Sequence, residues 1–221
     1  MSAGAAALED AAGQLGVALA AAQVSALLAY RDLLLRWNAT YNLTAVRDPA
    51  AMLAQHLIDC LAVVPGLDRE RPGGGRLLDV GSGGGLPGVV VAIAAPAWRV
   101  ICVDTVAKKA AFVRQVAAEL ALANLSSEHG RVEAQLSAGA TVITSRAFSD
   151  LAAFTSLTRH HLAADGVWMA MKGRTPDDEI AALPSSVEVF HVEPLTVPGL
   201  DAQRCVVWMK PAESLRPVGA R

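Results

Sequence analysis

An α/β fold is predicted: a mostly parallel sheet covered by helices, closed by a C-terminal antiparallel hairpin and preceded by a helical N-terminal layer. Three observations carry it. Strand-like apolar runs alternate with helix-period segments from Arg76 onward. A glycine-rich loop follows the first of those runs. The last two runs, 187–193 and 204–209, are separated only by a short loop with Pro198, Gly199 and Asp201, which pairs them antiparallel.

The small residues 1–7 are expected to fray. From Leu8 to about Val64 the pattern is helical, with Leu27, Leu28, Leu34, Leu35 and Trp37 on helix spacings. Asp48-Pro49 starts a further helix, with an acid to cap it and proline at its first position. Met52, Leu53, His56, Leu57, Cys60 and Leu61 carry it on until Pro65-Gly66, which reads as its end. A charged, glycine-rich linker spans 69–75. Then come a strand at 76–80, the loop 81–85, a helix at 88–95 stopped by Pro96, and a strand at 99–103 ending on Asp104. A long amphipathic helix at 106–122, a strand at 140–144, a helix at 151–162 and a strand at 166–170 lead to the hairpin. Trp98, Trp168, Met169, Met171 and Trp208 are expected in the core.

Composition narrows the function. The chain has 221 residues, 53% apolar and 18% charged, which excludes wholesale disorder and allows a core without disulfides. With 19 basic and 21 acidic residues the net charge is -2, so polyanion binding would need a local basic patch. Cys60, Cys102 and Cys205 form no CxxC pair; they read as buried apolar residues in a reducing compartment. His160-His161 lacks acid or cysteine partners at ligand spacing, so no metal site is expected. The first charges are Glu9 and Asp10, the reverse of a signal peptide, and the longest strongly apolar run, 89–95, is too short to span a bilayer. A cytoplasmic protein without membrane association is expected.

The stretch Leu77-Leu-Asp79-Val-Gly81-Ser-Gly83-Gly-Gly85-Leu86-Pro-Gly88 is the most informative. Bare glycines let a ligand approach the backbone between strand and helix. A nucleotide-phosphate loop would need Gly-Lys-Ser/Thr where Leu86-Pro87-Gly88 stands. Gly83, Gly85 and Gly88 match the dinucleotide pattern, which leaves a nicotinamide-dependent oxidoreductase as one reading. The frame Asp79-x-Gly81-x-Gly83-x-Gly85 explains more. An acid beside a pyrophosphate is unwelcome, whereas it suits a ligand with an ammonium and a sulfonium, S-adenosylmethionine. Asp104, about 20 residues on, can accept both ribose hydroxyls in either cofactor. The antiparallel last strand favours a class I (Rossmann-like) methyltransferase sheet.

Other residues carry two readings each. Asn42 reads as a left-handed helix cap, and His56 with Asp59 as a helix-face contact. Arg146, and the pair Lys172 and Arg174, end strands on the edge where ligands bind in such sheets, yet each reads equally as a solvated cation. Lys108, Lys109 and Arg114 are a solvated helix face or part of a basic patch for RNA.

Taken in order, Trp37-Asn-x-x-Tyr-Asn-Leu-Thr44, Val46-Arg-Asp-Pro49, His56-x-x-Asp59, the glycine loop, Arg131-Val132-Glu133, Ser145-Arg-Ala-Phe148 and Met171-Lys-Gly173 resemble the family of ribosomal small subunit methyltransferase G, also called glucose-inhibited division protein B. The likeness runs from about Leu27 to Lys210. It implies methyl transfer from S-adenosylmethionine to N7 of a guanine in 16S ribosomal RNA, within a small-subunit particle, by a monomer. It implies cofactor contacts from Gly81 and Leu86, from Val132 and Glu133 beside the adenine, and from Arg146, with Asp104 as the acid after the second strand. Asn42, His56, Asp59, Lys108 and Lys172 match positions near the RNA or the site entrance. Ser82-Gly83-Gly84-Gly85 replaces the Thr-Gly-Pro-Gly of many relatives, which makes a more flexible loop. Residues 1–68 are then a helical extension packed on a cofactor-binding core, 69–221, as one structural unit.

Guanine N7 has a free lone pair, so positioning should dominate and no obligatory general base is expected. No His–acid pair is assigned to the cofactor edge in the sequence. Arg36, Arg47, Lys108, Lys109, Arg146, Lys172 and Arg174 are expected to converge on the cofactor cleft. A methyltransferase acting on another RNA, a protein or a small molecule is the nearest alternative.

Overall fold

The computed structural model describes residues 3–146, 148 and 150–212. Ala147, within the Ser-Arg-Ala-Phe motif, and Met1 and Ser2 lie outside the described residues.

Seven strands form one sheet: β1 (Arg76–Val80), β2 (Arg99–Asp104), β3 (Leu125–His129), β4 (Ala140–Ser145), β5 (Leu162–Lys172), β6 (Val187–Leu195) and β7 (Arg204–Pro211). Their order is β3-β2-β1-β4-β5-β7-β6. The first five are parallel, while β7 runs antiparallel to both β5 and β6. The winding reverses between β1 and β4, the switch point at which open α/β sheets leave a crevice at their carboxyl edge.

Side chains alternate across the sheet with period two. Leu77, Cys102, Val142 and Met169 enter one core, beneath the N-terminal helices, while Leu78, Val103, Ile143 and Trp168 enter the other. Trp98, Trp168, Met169, Met171, Trp208 and all three cysteines are buried, as their sequence context predicts. Trp168 donates its indole N–H to Thr158 Oγ1 at 2.9 Å, so the ring is buried without an orphaned donor.

The N-terminal layer comprises α1 (Ala3–Gln14) and α2 (Ala21–Tyr41), then α3 (Pro49–Met52), a π-helical segment Leu53–Ile58, α4 (Asp59–Leu61) and α5 (Val64–Glu70). The start at Ala3 corrects the expected fraying: Leu8, Ala11 and Ala12 bury one face of α1. Asp48 caps α3 by accepting from the N–H groups of Ala50 and Ala51, at 3.1 and 3.3 Å. Pro65 does not end this region. It occupies the first turn of α5, where its missing N–H costs nothing, and helix continues through Arg69 and Glu70. The stretch 49–70, although broken by charged residues, is long and apolar enough to cross a bilayer; here 72% of its most apolar window is buried in the fold.

α6 (Gly88–Ala94) is buried on every side, and Gln23 of α2 donates to the carbonyls of Ile93 and Ala94 at its end. α7 (Ala107–Glu119) packs Phe112 against Tyr30 and Trp37 of α2. α8 (Leu151–Thr158) passes into a 3-10 turn, and β5 then begins at Leu162, four residues before the predicted strand. α9 (Asp177–Ala181) carries Ile180 onto the second core. Neither α9 nor β3 is among the predicted elements. β3 reads Leu-Ser-Ser-Glu-His, because an edge strand with one neighbour has no need of an apolar run.

Packing leaves no room for a side chain at Gly88, where a Cβ would lie 2.5 Å from Cys102 Sγ and 2.9 Å from Asp79 Oδ2. Gly88→Ala should lower the unfolding free energy by about 1–3 kcal/mol, the usual cost of overpacking. Gly13→Ala, with nothing within 4 Å, should not lower it. Urea denaturation of both variants checks the contrast.

Candidate functional site

The glycine loop leaves β1 with φ positive at Gly81, Gly83 and Gly85 (+70°, +59° and +86°), conformations that other residues rarely adopt. The N–H groups of Gly81 and Ser82 donate to Val103 O at 2.9 and 3.2 Å, which extends the sheet into the loop. Two buried acids hold the middle of the loop and the start of α6. Asp104 Oδ2 accepts from Gly83 N–H at 2.9 Å and its Oδ1 from Val106 N–H at 2.8 Å. Asp79 Oδ2 accepts from Gly88 N–H at 2.8 Å, pinning the first turn of α6, while its Oδ1 has no partner among the described residues. Burial pushes the Asp79 carboxyl up to about 7, against the lowering pull of the Gly88 N–H and Arg146.

The N-terminal layer closes over the loop. Tyr30 donates its hydroxyl to Gly84 O at 2.6 Å, and Leu34 lies so close that a Cβ on Gly84 would meet it at 2.9 Å. Asn38 shapes the turn after α2: its Oδ1 accepts from Thr44 N–H and its Nδ2 donates to Val46 O, both at 2.9 Å. Asn42 takes the expected left-handed cap, with its Oδ1 accepting from Arg47 at 2.9 Å. Thr44 Oγ1 is 2.7 Å from His56 Nε2, and His56 Nδ1 is 2.9 Å from Gln55 O. A carbonyl only accepts, so Nδ1 carries the proton and Nε2 accepts from Thr44. Burial, then Arg146, lowers the His56 pKa, which keeps this neutral form.

Three adjoining clefts run along the carboxyl edge of the sheet. The first, about 480 Å³, is lined by Gly81, Asp104, Lys109, Val132 and Glu133 among others. The second, about 260 Å³, shares Gly81 and Lys109 with it and adds Gly83, Leu86, Thr44 and Arg146. The third, about 380 Å³, shares Arg146 and adds Gln55, His56, Asp59, Lys172 and Arg204. The edge therefore gathers most of the residues singled out in the sequence. Asp79 and Gly85 line none of the three clefts. Asp79 works from below, and a Cβ on Gly85 would strike Val89 at 2.4 Å. Lys108 and Asn42 are exposed and line none of the three clefts.

Two expectations are corrected. Of the seven cations expected to converge, Lys109, Arg146 and Lys172 line these clefts, while Arg47, Lys108 and Arg174 do not, and Arg36 lies 3.6 Å from Glu119, at the end of α7 away from them. A histidine and an acid do stand on the cofactor edge, since His56 and Asp59 line one cleft. They form no relay. His56 is held by Thr44 and Gln55, while Asp59 accepts from Arg146 at 3.4 Å and Arg204 at 2.8 Å. Lys172 is matched by Glu179 at 2.8 Å. Glu133 pairs with Arg131 at 2.6 Å, which lowers its pKa. His161 donates to Val132 O and accepts from Ala138 N–H, so it braces the wall of the first cleft. No group of three or more metal-ligating side chains occurs among the described residues.

Sequence reasoning misses Tyr30 and Arg204, and gives Thr44, the last residue of the Trp37–Thr44 motif, no role of its own. Tyr30 sits in an apolar helical pattern and Arg204 opens an apolar strand, so neither stands out without the fold.

The family described as rRNA small subunit methyltransferase G (GidB) matches residues 23–207. Proteins named ribosomal RNA small subunit methyltransferase G are similar over nearly the whole chain. The one from Methylibium petroleiphilum is 59% identical over 203 residues, covering 91% of this chain and 92% of its own. The one from Acidovorax sp. is 56% identical over 215 residues, covering 93% and 94%. Among solved structures, a SAM-dependent methyltransferase from Aquifex aeolicus superposes with a TM-score of 0.54 at 14% identity, covering 73% of this chain and 93% of that one. The glycopeptide N-methyltransferase MtfA, complexed with sinefungin, gives 0.55 at 14% identity, covering 67% and 91%. These two show the fold, a class I methyltransferase sheet.

Asp79 makes stability depend on pH. Its folded pKa of about 7 lies above the unfolded value of about 3.9, so the protonated form is the one the fold favours. Its contribution is fully present below about pH 3.9 and is lost as pH rises through about 7. Asp79→Asn keeps an oxygen for Gly88 and removes the titration. Between pH 5 and 8 the natural chain should lose on the order of 2 kcal/mol relative to that variant, measured by urea denaturation at both pH values. Parallel losses in the two proteins would remove Asp79 as the cause. On the match across residues 23–207 and the full-length relatives, the chain belongs to the rRNA small subunit methyltransferase G family.

Proposed function

We propose that this chain transfers a methyl group from S-adenosylmethionine to N7 of a guanine in 16S ribosomal RNA, presented within a small-subunit particle. The observation that carries the reading is the run of clefts, from Asp104 and Val132 past the bare glycine backbone to Arg146. The residues fit the cofactor. Each Asp104 oxygen accepts one backbone N–H, which leaves lone pairs for two ribose hydroxyls. Val132 and Glu133 wall the adenine end. A Cβ on Gly83 meets no protein atom within 4 Å, so the backbone is bare there toward open space. Gly81, Gly83 and Leu86 face the methionine end, with Arg146 for its carboxylate. Asp79 and Gly85 act indirectly, by holding the loop and the start of α6. Bound there, S-adenosylmethionine supplies a methyl group already activated by its sulfonium.

The protein's task is then alignment, which can be worth on the order of 7–11 kcal/mol. N7 has no proton to lose, and His56, neutral with both nitrogens engaged, is not set up to take one. Lys109, in both of the first two clefts, and the exposed Lys108, Asn42 and Arg47 form the RNA-facing rim, with His56, Asp59 and Lys172 in the third cleft. The helical layer 1–68 and the core 69–221 work as one unit, a monomer acting in the cytoplasm.

The test is transfer of labelled methyl to small ribosomal subunits from cells lacking this gene, counted in RNA and protein separately. The expected result is label in 16S RNA, recovered as 7-methylguanosine. Cofactor binding with no label in RNA would remove the substrate and keep the cofactor site.

A further inference from the structure

The C-terminal hairpin does more than close the sheet. Because β7 is antiparallel, it begins at the edge where the parallel strands end, with Cys205 opposite Lys172. Arg204 thereby reaches the third cleft. Its Nε donates to Asp59 Oδ1 at 2.8 Å, and its Nη1 to Gln203 O at 2.9 Å. Its Nη2 has no partner among the described residues.

Charge in this cleft does not balance. Asp59 is 2% exposed and serves two guanidiniums, Arg146 on one oxygen and Arg204 on the other. One carboxylate against two cations leaves one positive charge over. Lys172 does not alter this, because Glu179 neutralises it, and His56 is neutral. Both arginine side chains keep 27% of their surface exposed, so the excess charge faces the opening. A planar guanidinium with a free N–H edge fits a phosphate oxygen. Arg146 borders both this cleft and the glycine-loop opening, so an anion held at Arg204 lies beside the place where the methyl is delivered.

We infer that Arg204 binds a backbone phosphate of the RNA next to the target guanine, and that Asp59 is the positioning residue that fixes Arg204 there. The inference rests on the proposal that RNA is the substrate. It also gives Asp59 a division of labour: one arginine is turned to the cofactor, the other to the strand being modified.

The test uses the full chain and small ribosomal subunits lacking the methyl group. KM, kcat, cofactor affinity and the salt dependence of subunit binding are compared for the natural chain, Arg204→Gln, Arg204→Lys and Leu195→Glu. Leu195 pairs with Arg204 across the hairpin and lines the same cleft, so Leu195→Glu sets a competing carboxylate beside Arg204 without removing Asp59 or either arginine. Arg204→Gln should raise KM about tenfold and make the log–log salt slope shallower by about one, with cofactor affinity within about twofold. Arg204→Lys should restore the slope, and Leu195→Glu should raise KM. Lost cofactor affinity with an unchanged slope would assign the clamp to the cofactor and overturn the inference. So would unchanged KM and slope in Arg204→Gln, or, if that variant does not fold, unchanged KM in Leu195→Glu. Failure of the natural chain to methylate RNA would instead remove the functional reading, and this inference with it.

Discussion

Two buried carboxylates hold the site open. Asp79 and Asp104 lie at the carboxyl ends of adjacent parallel strands, and each accepts a backbone N–H, from Gly88 at the start of α6 for one and from Gly83 in the glycine loop for the other. Glycines at positive φ make the loop's path possible, but freedom alone would leave it mobile. The acids convert that freedom into one shape. The cost is visible in Asp79, which is fully buried with one oxygen unpartnered and its pKa moved up to about 7. A neutral Asp79 still accepts from Gly88, so the loop is held in either protonation state while the stability of the fold is not the same in both.

The helical layer depends on that loop in turn. Tyr30 reaches Gly84 O, Leu34 presses where Gly84 has no side chain, and Asn38 bends the chain so that Thr44 meets both the second cleft and His56. His56 belongs to the π-helical segment and Asp59 to the turn directly after it. That irregular turn presents His56, Asp59 and Gln55 to a single cleft. The layer is thus a wall of the site, built from residues whose roles depend on the loop they cover.

How much of this is legible in the sequence depends on the kind of signal. Apolar strand runs, the loop glycines and the short link between the last two strands are local patterns, and β1, β2, β4, β5 and the hairpin come from them. β3 is invisible because its Ser-Ser-Glu-His ending carries no apolar pattern. Pro65 reads as a stop because proline both ends helices and begins them, and only the neighbouring turn decides which. Asp104, Lys109 and Arg146 stand out from their places at strand ends and helix starts. Tyr30 and Arg204 do not, since their partners lie 54 and 145 residues away in the chain.

The same distance explains why Arg204 and Asp59 matter together. A carboxylate at 2% exposure is costly unless it is paired, and a single arginine would suffice to pair it. The second guanidinium exceeds what the burial of Asp59 requires, and it comes from the strand whose direction is opposite to the rest. An antiparallel β7 places its first residue, rather than its last, at the ligand edge. The reversal that closes the sheet therefore also supplies a cation where the parallel strands end. In a chain of net charge -2, attraction for a polyanion cannot come from bulk charge. It has to come from local surpluses of this kind, set beside the reacting atoms and kept in place by buried acids.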